Sequence, residues 1–104
     1  MREKMLDEFI EDLKKMDAFN ITVINTPDYL TDYFIIASVD NIITLKAIVD
    51  KFGGSNVKVH GEADSGWVIL DFNDFWCHLF LPHTREYYNL ERLWTIKATM
   101  RDSK

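Results

Sequence analysis

Two strand-like runs flank the dipeptide Asn73-Asp74 within Trp67–Leu81, and this segment dictates more of the chain's geometry than any other. Asparagine and aspartate tolerate positive φ and suit a two-residue hairpin turn. Pairing across that turn predicts Phe72 opposite Phe75, Asp71 opposite Trp76 and Leu70 opposite Cys77. It continues with Ile69 opposite His78, Val68 opposite Leu79 and Trp67 opposite Phe80. Strand side chains alternate between faces. One face therefore carries Val68, Leu70, Phe72, Phe75, Cys77 and Leu79, is wholly apolar, and belongs to the core. The other carries Trp67, Ile69, Asp71, Trp76, His78 and Phe80, mixing large rings with a carboxylate and an imidazole. Burying Asp71 or His78 without a partner would cost on the order of 1–3 kcal/mol. Two readings of this mixed face follow. It is a half-open, aromatic protein-binding patch, or a helix covers it and Asp71 hydrogen-bonds Trp76 or His78 inside.

The rest of the chain supplies partners for that hairpin. Met5, Leu6, Phe9, Ile10, Leu13 and Met16 recur at helical spacing among charged residues, which predicts an amphipathic helix. Ile21–Ile24 reads as a short strand, with a turn around Pro27-Asp28. The continuous apolar run Tyr33–Ala37 predicts a strand buried on both faces. Asp40 is the expected N-cap of a second helix with the face Ile42, Leu45, Ile48, Val49 and Phe52. Gly53-Gly54 is expected to end it through a left-handed residue. Val57–Val59 reads as a strand and Gly61–Gly66 as a polar loop. Past Pro82, Thr84 is the expected cap of a helix from Arg85 to about Trp94. There Tyr87, Leu90 and Trp94 share the inward side, leaving Tyr88 and Glu91 accessible.

Charge narrows the class of partner. The chain has 104 residues and a formal net charge of −5. Between Glu62 and Glu91 stand six acids (Glu62, Asp64, Asp71, Asp74, Glu86, Glu91) and one base, Arg85. The remainder holds 11 acids and 11 bases, so the whole excess sits in that stretch. These acids are either solvated turn residues or an acidic surface that meets a basic partner. A broad nucleic-acid footprint needs a basic face and is not expected. One cysteine, Cys77, leaves no internal disulfide, and no apolar run reaches membrane-span length. A cytoplasmic, membrane-free single domain is the expectation.

Motifs for chemistry are sparse. Cys77 and His78 point to opposite faces and form no dyad. His60, His78 and His83 lack zinc-ligand spacing, so neither a metal nor a cofactor is expected. Asp71 and Asp74 are the one carboxylate pair that an enzyme could use with magnesium, without a third acid to complete a cage.

The segments Asp32–Ser38, Trp67–Asp71, Asp74–Phe80 and Arg85–Trp94 resemble the ribosome silencing factor (Iojap-like) family. The likeness is specific in order and spacing from Asp32 to Trp94 and general in the N-terminal helix. Its most diagnostic part is the closing run Tyr88-Asn89-Leu90-Glu91-Arg92-Leu93-Trp94. The resemblance implies an α/β (α+β) fold: a mixed β-sheet of about five strands with helices, nucleotidyltransferase-like without the catalytic acids. Residues 1–94 would form one domain and 95–104 a polar tail.

The same resemblance implies a non-catalytic translation repressor. Such proteins bind ribosomal protein fourteen of the large subunit and block small-subunit joining when nutrients are scarce. Trp67 matches the family's tryptophan at that contact, and Asp71 and His78 match its aspartate and histidine in the hairpin. The expected contact set is Trp67, Asp71, Trp76, His78, Phe80, Glu62, Tyr88 and Glu91, with rings supplying area and acids steering toward bases. Departures from the family pattern are Val39-Asp40 and Asn73, where glycine is usual, His60, where an acid is usual, and a short link at Gly53-Gly54. Two rival expectations are a magnesium-dependent nucleotidyltransferase remnant using Asp71 and Asp74, and a homodimer paired through the aromatic face.

Overall fold

In the computed structural model, residues 2–25, 33–54, 56–90 and 92 are described. The element order is α1 (Arg2–Lys15), β1 (Phe19–Asn25), β2 (Tyr33–Ser38), α2 (Ile42–Phe52), β3 (Lys58–Glu62), a 3-10 turn (Ala63–Ser65), β4 (Trp67–Asp71), β5 (Phe75–Phe80) and α3 (Pro82–Tyr88). The strands form one five-stranded mixed sheet in the order β1-β2-β5-β4-β3. Only the β2–β5 pair is parallel; β1–β2, β3–β4 and β4–β5 are antiparallel. The expected α+β fold with a five-stranded mixed sheet is therefore present.

The hairpin register agrees with the expected one at all five ladder positions from Trp67↔Phe80 to Asp71↔Trp76. Asn73 takes φ +77 in the turn. The Phe72 N–H donates to Phe75 O and the Asp74 N–H to Phe72 O, each at 3.0 Å. Asp71 tightens the turn, since its Oδ1 accepts from the Asn73 N–H at 2.8 Å. Beside the hairpin lies β2, whose residues Phe34 to Ser38 are all buried, as its apolar run predicts.

One sheet face carries the core. Leu6, Phe9 and Leu13 of α1 and Leu45 and Ile48 of α2 pack on Ile35, Ala37, Val68, Leu70, Phe75, Cys77 and Leu79. Phe9 is the centre of an aromatic knot, 4.7 Å from Phe72, 4.9 Å from Phe52 and 5.4 Å from Phe75 between ring centroids. Met5 falls outside this face and is 56% exposed. Leu13 is fully buried in it. Leu13→Ala is expected to cost about 2–5 kcal/mol and to lower Tm by roughly 10 °C or more in a thermal melt.

Several boundaries differ from expectation for local reasons. The N-cap of α2 is Asn41, not Asp40: its side chain accepts from the Thr44 N–H at 2.8 Å. Gly53 ends α2 at φ −68, not in the left-handed region. Glycine suits the position because a Cβ there would lie 2.7 Å from Val49 O. The segment read as a loop from Gly61 to Gly66 instead continues β3 through Glu62 and then turns as a 3-10 helix. The third helix starts at Pro82 with Leu81 as its N-cap and stops at Asn89, which is left-handed at φ 49. Thr84 is thus inside the helix, not its cap. The turn at Pro27-Asp28, Trp94 and the tail from 95 to 104 lie outside the described residues.

Candidate functional site

The other sheet face is assembled from the same registers. Across β3–β4, Glu62 stands opposite Trp67, His60 opposite Ile69 and Lys58 opposite Asp71. Across β2–β5, Phe34 stands beside Trp76, Ile36 beside His78 and Ser38 beside Phe80. The result is an aromatic strip. Trp67 stacks on Phe80 with centroids 5.1 Å apart, and Tyr88 from α3 packs on Trp67 at 4.7 Å. At the far end Trp76 stacks on Phe34 at 5.8 Å, with His60 6.5 Å away.

Accessibility divides the expected contact residues. Trp67, Asp71 and Trp76 are half-buried, while Glu62 and Tyr88 are exposed. His78 and Phe80 are not accessible, at 4% and 0% exposure, so the expectation that they present contact surface is corrected. They are the buried spine beneath the strip: His78 lies against Phe34 and Trp67, and Phe80 against Trp67 and Tyr88. Glu91 lies outside the described residues. Tyr87, expected to face inward, is 78% exposed.

Two of the polar side chains on this face have identifiable partners. The Trp67 indole Nε1–H donates to His78 Nδ1 at 3.2 Å. This replaces the expected covered-face arrangement, in which Asp71 would have bonded Trp76 or His78; Asp71 Oδ1 instead serves the turn. Of the acids, Asp64 pairs with Lys46 at 3.5 Å, an exposed bridge of little energetic weight. Sequence reasoning missed Arg85, the single base in the acidic stretch. Its Nη1 donates to Asn20 O at 2.6 Å and Ser38 Oγ at 2.8 Å, and Nη2 to Thr22 Oγ1 at 3.3 Å. That clamp joins α3 to β1 and β2 and so holds Tyr88 against the hairpin. The left-handed Asn20 and the pairing shift between Phe19 and Thr22 expose the carbonyl it grips.

Burial sets the chemistry of the two central side chains. It pushes the Cys77 thiol up, away from thiolate reactivity. Desolvation pushes His78 from 6.5 down to about 4. Between those values the unfolded chain binds more protons than the folded one, so stability is full above pH 6.5 and declines as pH falls toward 4. The expected loss is up to about 3 kcal/mol, read by urea unfolding at pH 7 and 4.5. His78→Leu should show a shallower decline; an unchanged slope would contradict the assignment.

Fold and face together define a small α+β domain whose sheet is packed by α1 and α2 on one side and carries a partly open aromatic strip on the other. The sequence profile described as "RsfS: Ribosomal silencing factor during starvation" matches residues 1–104. The chain belongs to this ribosomal silencing factor family. The mouse protein "Mitochondrial assembly of ribosomal large subunit protein 1" is 33% identical over 105 residues, covering 89% of this chain and 46% of that protein. The Bacillus subtilis "Ribosomal silencing factor RsfS" is 30% identical over 95 residues, covering 85% of this chain and 75% of that protein. A crystal structure of a Chromobacterium violaceum protein superposes with a TM-score of 0.76 at 26% identity, covering 89% of this chain and 85% of that one. The chain thus spans less than half of the mouse relative and about three quarters of the bacterial one. The bacterial relatives are named as silencing factors and not as enzymes. Among the described residues no helix is long and apolar enough to cross a membrane.

Proposed function

We propose that this chain is a non-catalytic translation repressor that docks on the large ribosomal subunit through ribosomal protein fourteen and sterically blocks joining of the small subunit. The observation that carries this reading is the open end of the aromatic strip. There the half-buried Trp67 meets the exposed Tyr88, with Glu62 directly across the β3–β4 ladder. Rigid rings beside a carboxylate are the composition of a protein contact for a basic partner. Trp76 and Asp71 extend the patch toward the turn. The family membership and the mouse relative's name, which places that protein in large-subunit assembly, support the choice of subunit.

The magnesium-dependent nucleotidyltransferase alternative is less well supported, because Asp71 Oδ1 already serves the Asn73 backbone and, among the described residues, no third ligand joins Asp71 and Asp74 in a cation-binding group. Self-pairing of the aromatic face in the free protein would compete with docking and would show as concentration-dependent sedimentation. The steric mechanism is tested by preloading purified large subunits with the protein before adding small subunits, on sucrose gradients. Joined ribosomes should fall in proportion to the occupancy of the large subunit. Full joining at saturating occupancy would refute the mechanism.

A further inference from the structure

We propose that His78 is a positioning residue for docking: its Nδ1 accepts the Trp67 indole N–H and fixes which edge of that ring faces the partner. This inference rests on the reading of Trp67 as a docking residue. An indole nitrogen only donates, so the 3.2 Å contact makes Nδ1 the lone-pair nitrogen of His78 and puts the ring hydrogen on Nε2. Nε2 is buried and has no hydrogen-bond partner among the described residues. Rings flank the imidazole: Phe34 edge-on and Phe80 stacked, with ring centroids 4.8 Å and 6.3 Å from that of His78. A leucine of similar bulk would fill this position without leaving a donor unpaired, so packing alone gives no reason for histidine. What histidine adds is the acceptor at Nδ1. The ladder explains its reach, since Trp67 pairs with Phe80 and His78 is the diagonal neighbour on the same face.

Stacking on Phe80, with Tyr88 packed at a tilt, sets the plane of the indole but not its flip within that plane. The hydrogen bond to His78 selects one of the two flips. With the N–H turned toward β5, Trp67 offers a partner hydrocarbon ring surface and no donor. That surface suits an aliphatic stem or a cation over the ring better than an acceptor such as a phosphate oxygen.

The test compares His78→Leu, which removes the acceptor, with His78→Asn, whose amide oxygen falls near the Nδ1 position. Two readouts are taken on the full chain: hydrogen exchange of the Trp67 indole N–H by NMR, and affinity for purified large subunits. In the unaltered protein the indole N–H should exchange slowly. In His78→Leu it should exchange fast, with binding weakened about tenfold at little change in Tm. In His78→Asn both should recover. Fast exchange in the unaltered protein, or unchanged exchange in a folded His78→Leu, would overturn the proposal. So would a folded His78→Leu that binds normally while Trp67→Ala does not. If Trp67→Ala itself binds normally, the docking reading fails, and indole exchange alone judges the role of His78 in setting the ring. Should His78→Leu fail to fold, the unaltered protein and His78→Asn decide by the same exchange measurement.

Discussion

Trp67→Ala should keep its fold and bind large subunits about thirtyfold more weakly, or worse. Truncating a buried aromatic anchor at an interface typically costs 2 kcal/mol or more, which corresponds to that factor. The fold survives because Trp67 stands outside the core built by α1 and α2 on the opposite sheet face. Its backbone pairing with Phe80 and the ladder beyond it do not depend on the ring. Some stability is lost with the contacts to Phe80 and Tyr88, and circular dichroism with thermal melting would measure it. Co-sedimentation across a concentration series reads the affinity. The matching control is Ile43→Ala, a residue of α2 that is 81% exposed on the other layer and should bind as the unaltered protein does. Equal affinities for the two variants would remove the aromatic strip from consideration.

The second large effect is on architecture. Gly66 joins the 3-10 turn to β4 at φ +82, a conformation that strains an alanine or most other residues with a Cβ. It also lies against α3: a Cβ at Gly66 would collide with Thr84 Oγ1 and lie 3.3 Å from Thr84 Cβ. The Gly66 carbonyl meanwhile accepts the Leu81 N–H at 3.0 Å, so the two segments cannot simply separate. Gly66→Ala is therefore expected to destabilise by about 3 kcal/mol or more, roughly 10–20 °C in Tm. Thr84→Ala in the same chain should restore part of the loss by removing the nearest atom, leaving the backbone strain in place. Because α3 carries Tyr88, the single variant should also loosen the Tyr88–Trp67 contact and weaken subunit binding. A thermal melt within 2–3 °C of the unaltered protein would show that the junction relaxes freely.

Periodicity made the local elements legible. Alternation on either side of Asn73-Asp74 gave the hairpin register and the membership of both faces, and Leu6, Phe9 and Leu13 announced the buried stripe of α1. Less legible was whatever depends on strand order in space. Position in sequence does not reveal that β2 pairs beside β5 or that Tyr88 packs back on the hairpin, and these neighbours cover His78 and Phe80 while Trp67 stays half open. The Trp67–His78 hydrogen bond was within reach of the register, as a diagonal pair of a donor and an acceptor. Arg85 gave no such signal, because its acceptors are an irregular carbonyl at Asn20 and hydroxyls 47 and 63 residues away. Helix ends are ambiguous in sequence where two capping residues adjoin. Asp40 and Asn41 both suit an N-cap, and only backbone geometry chooses Asn41. At the end of α1, Asp17 takes the left-handed position at φ 69 that glycine usually fills, with Ala18 N–H reaching Leu13 O at 3.0 Å.

A photocrosslinking residue placed at Tyr88, and separately at Ile43, examines the docking face directly. Each protein is bound to purified large subunits, irradiated, and its crosslinked partner identified by mass spectrometry. Docking by the strip predicts a crosslink to ribosomal protein fourteen from position 88 and none from position 43. A crosslink from position 43 with none from position 88 would place the partner on the helical layer and contradict the account.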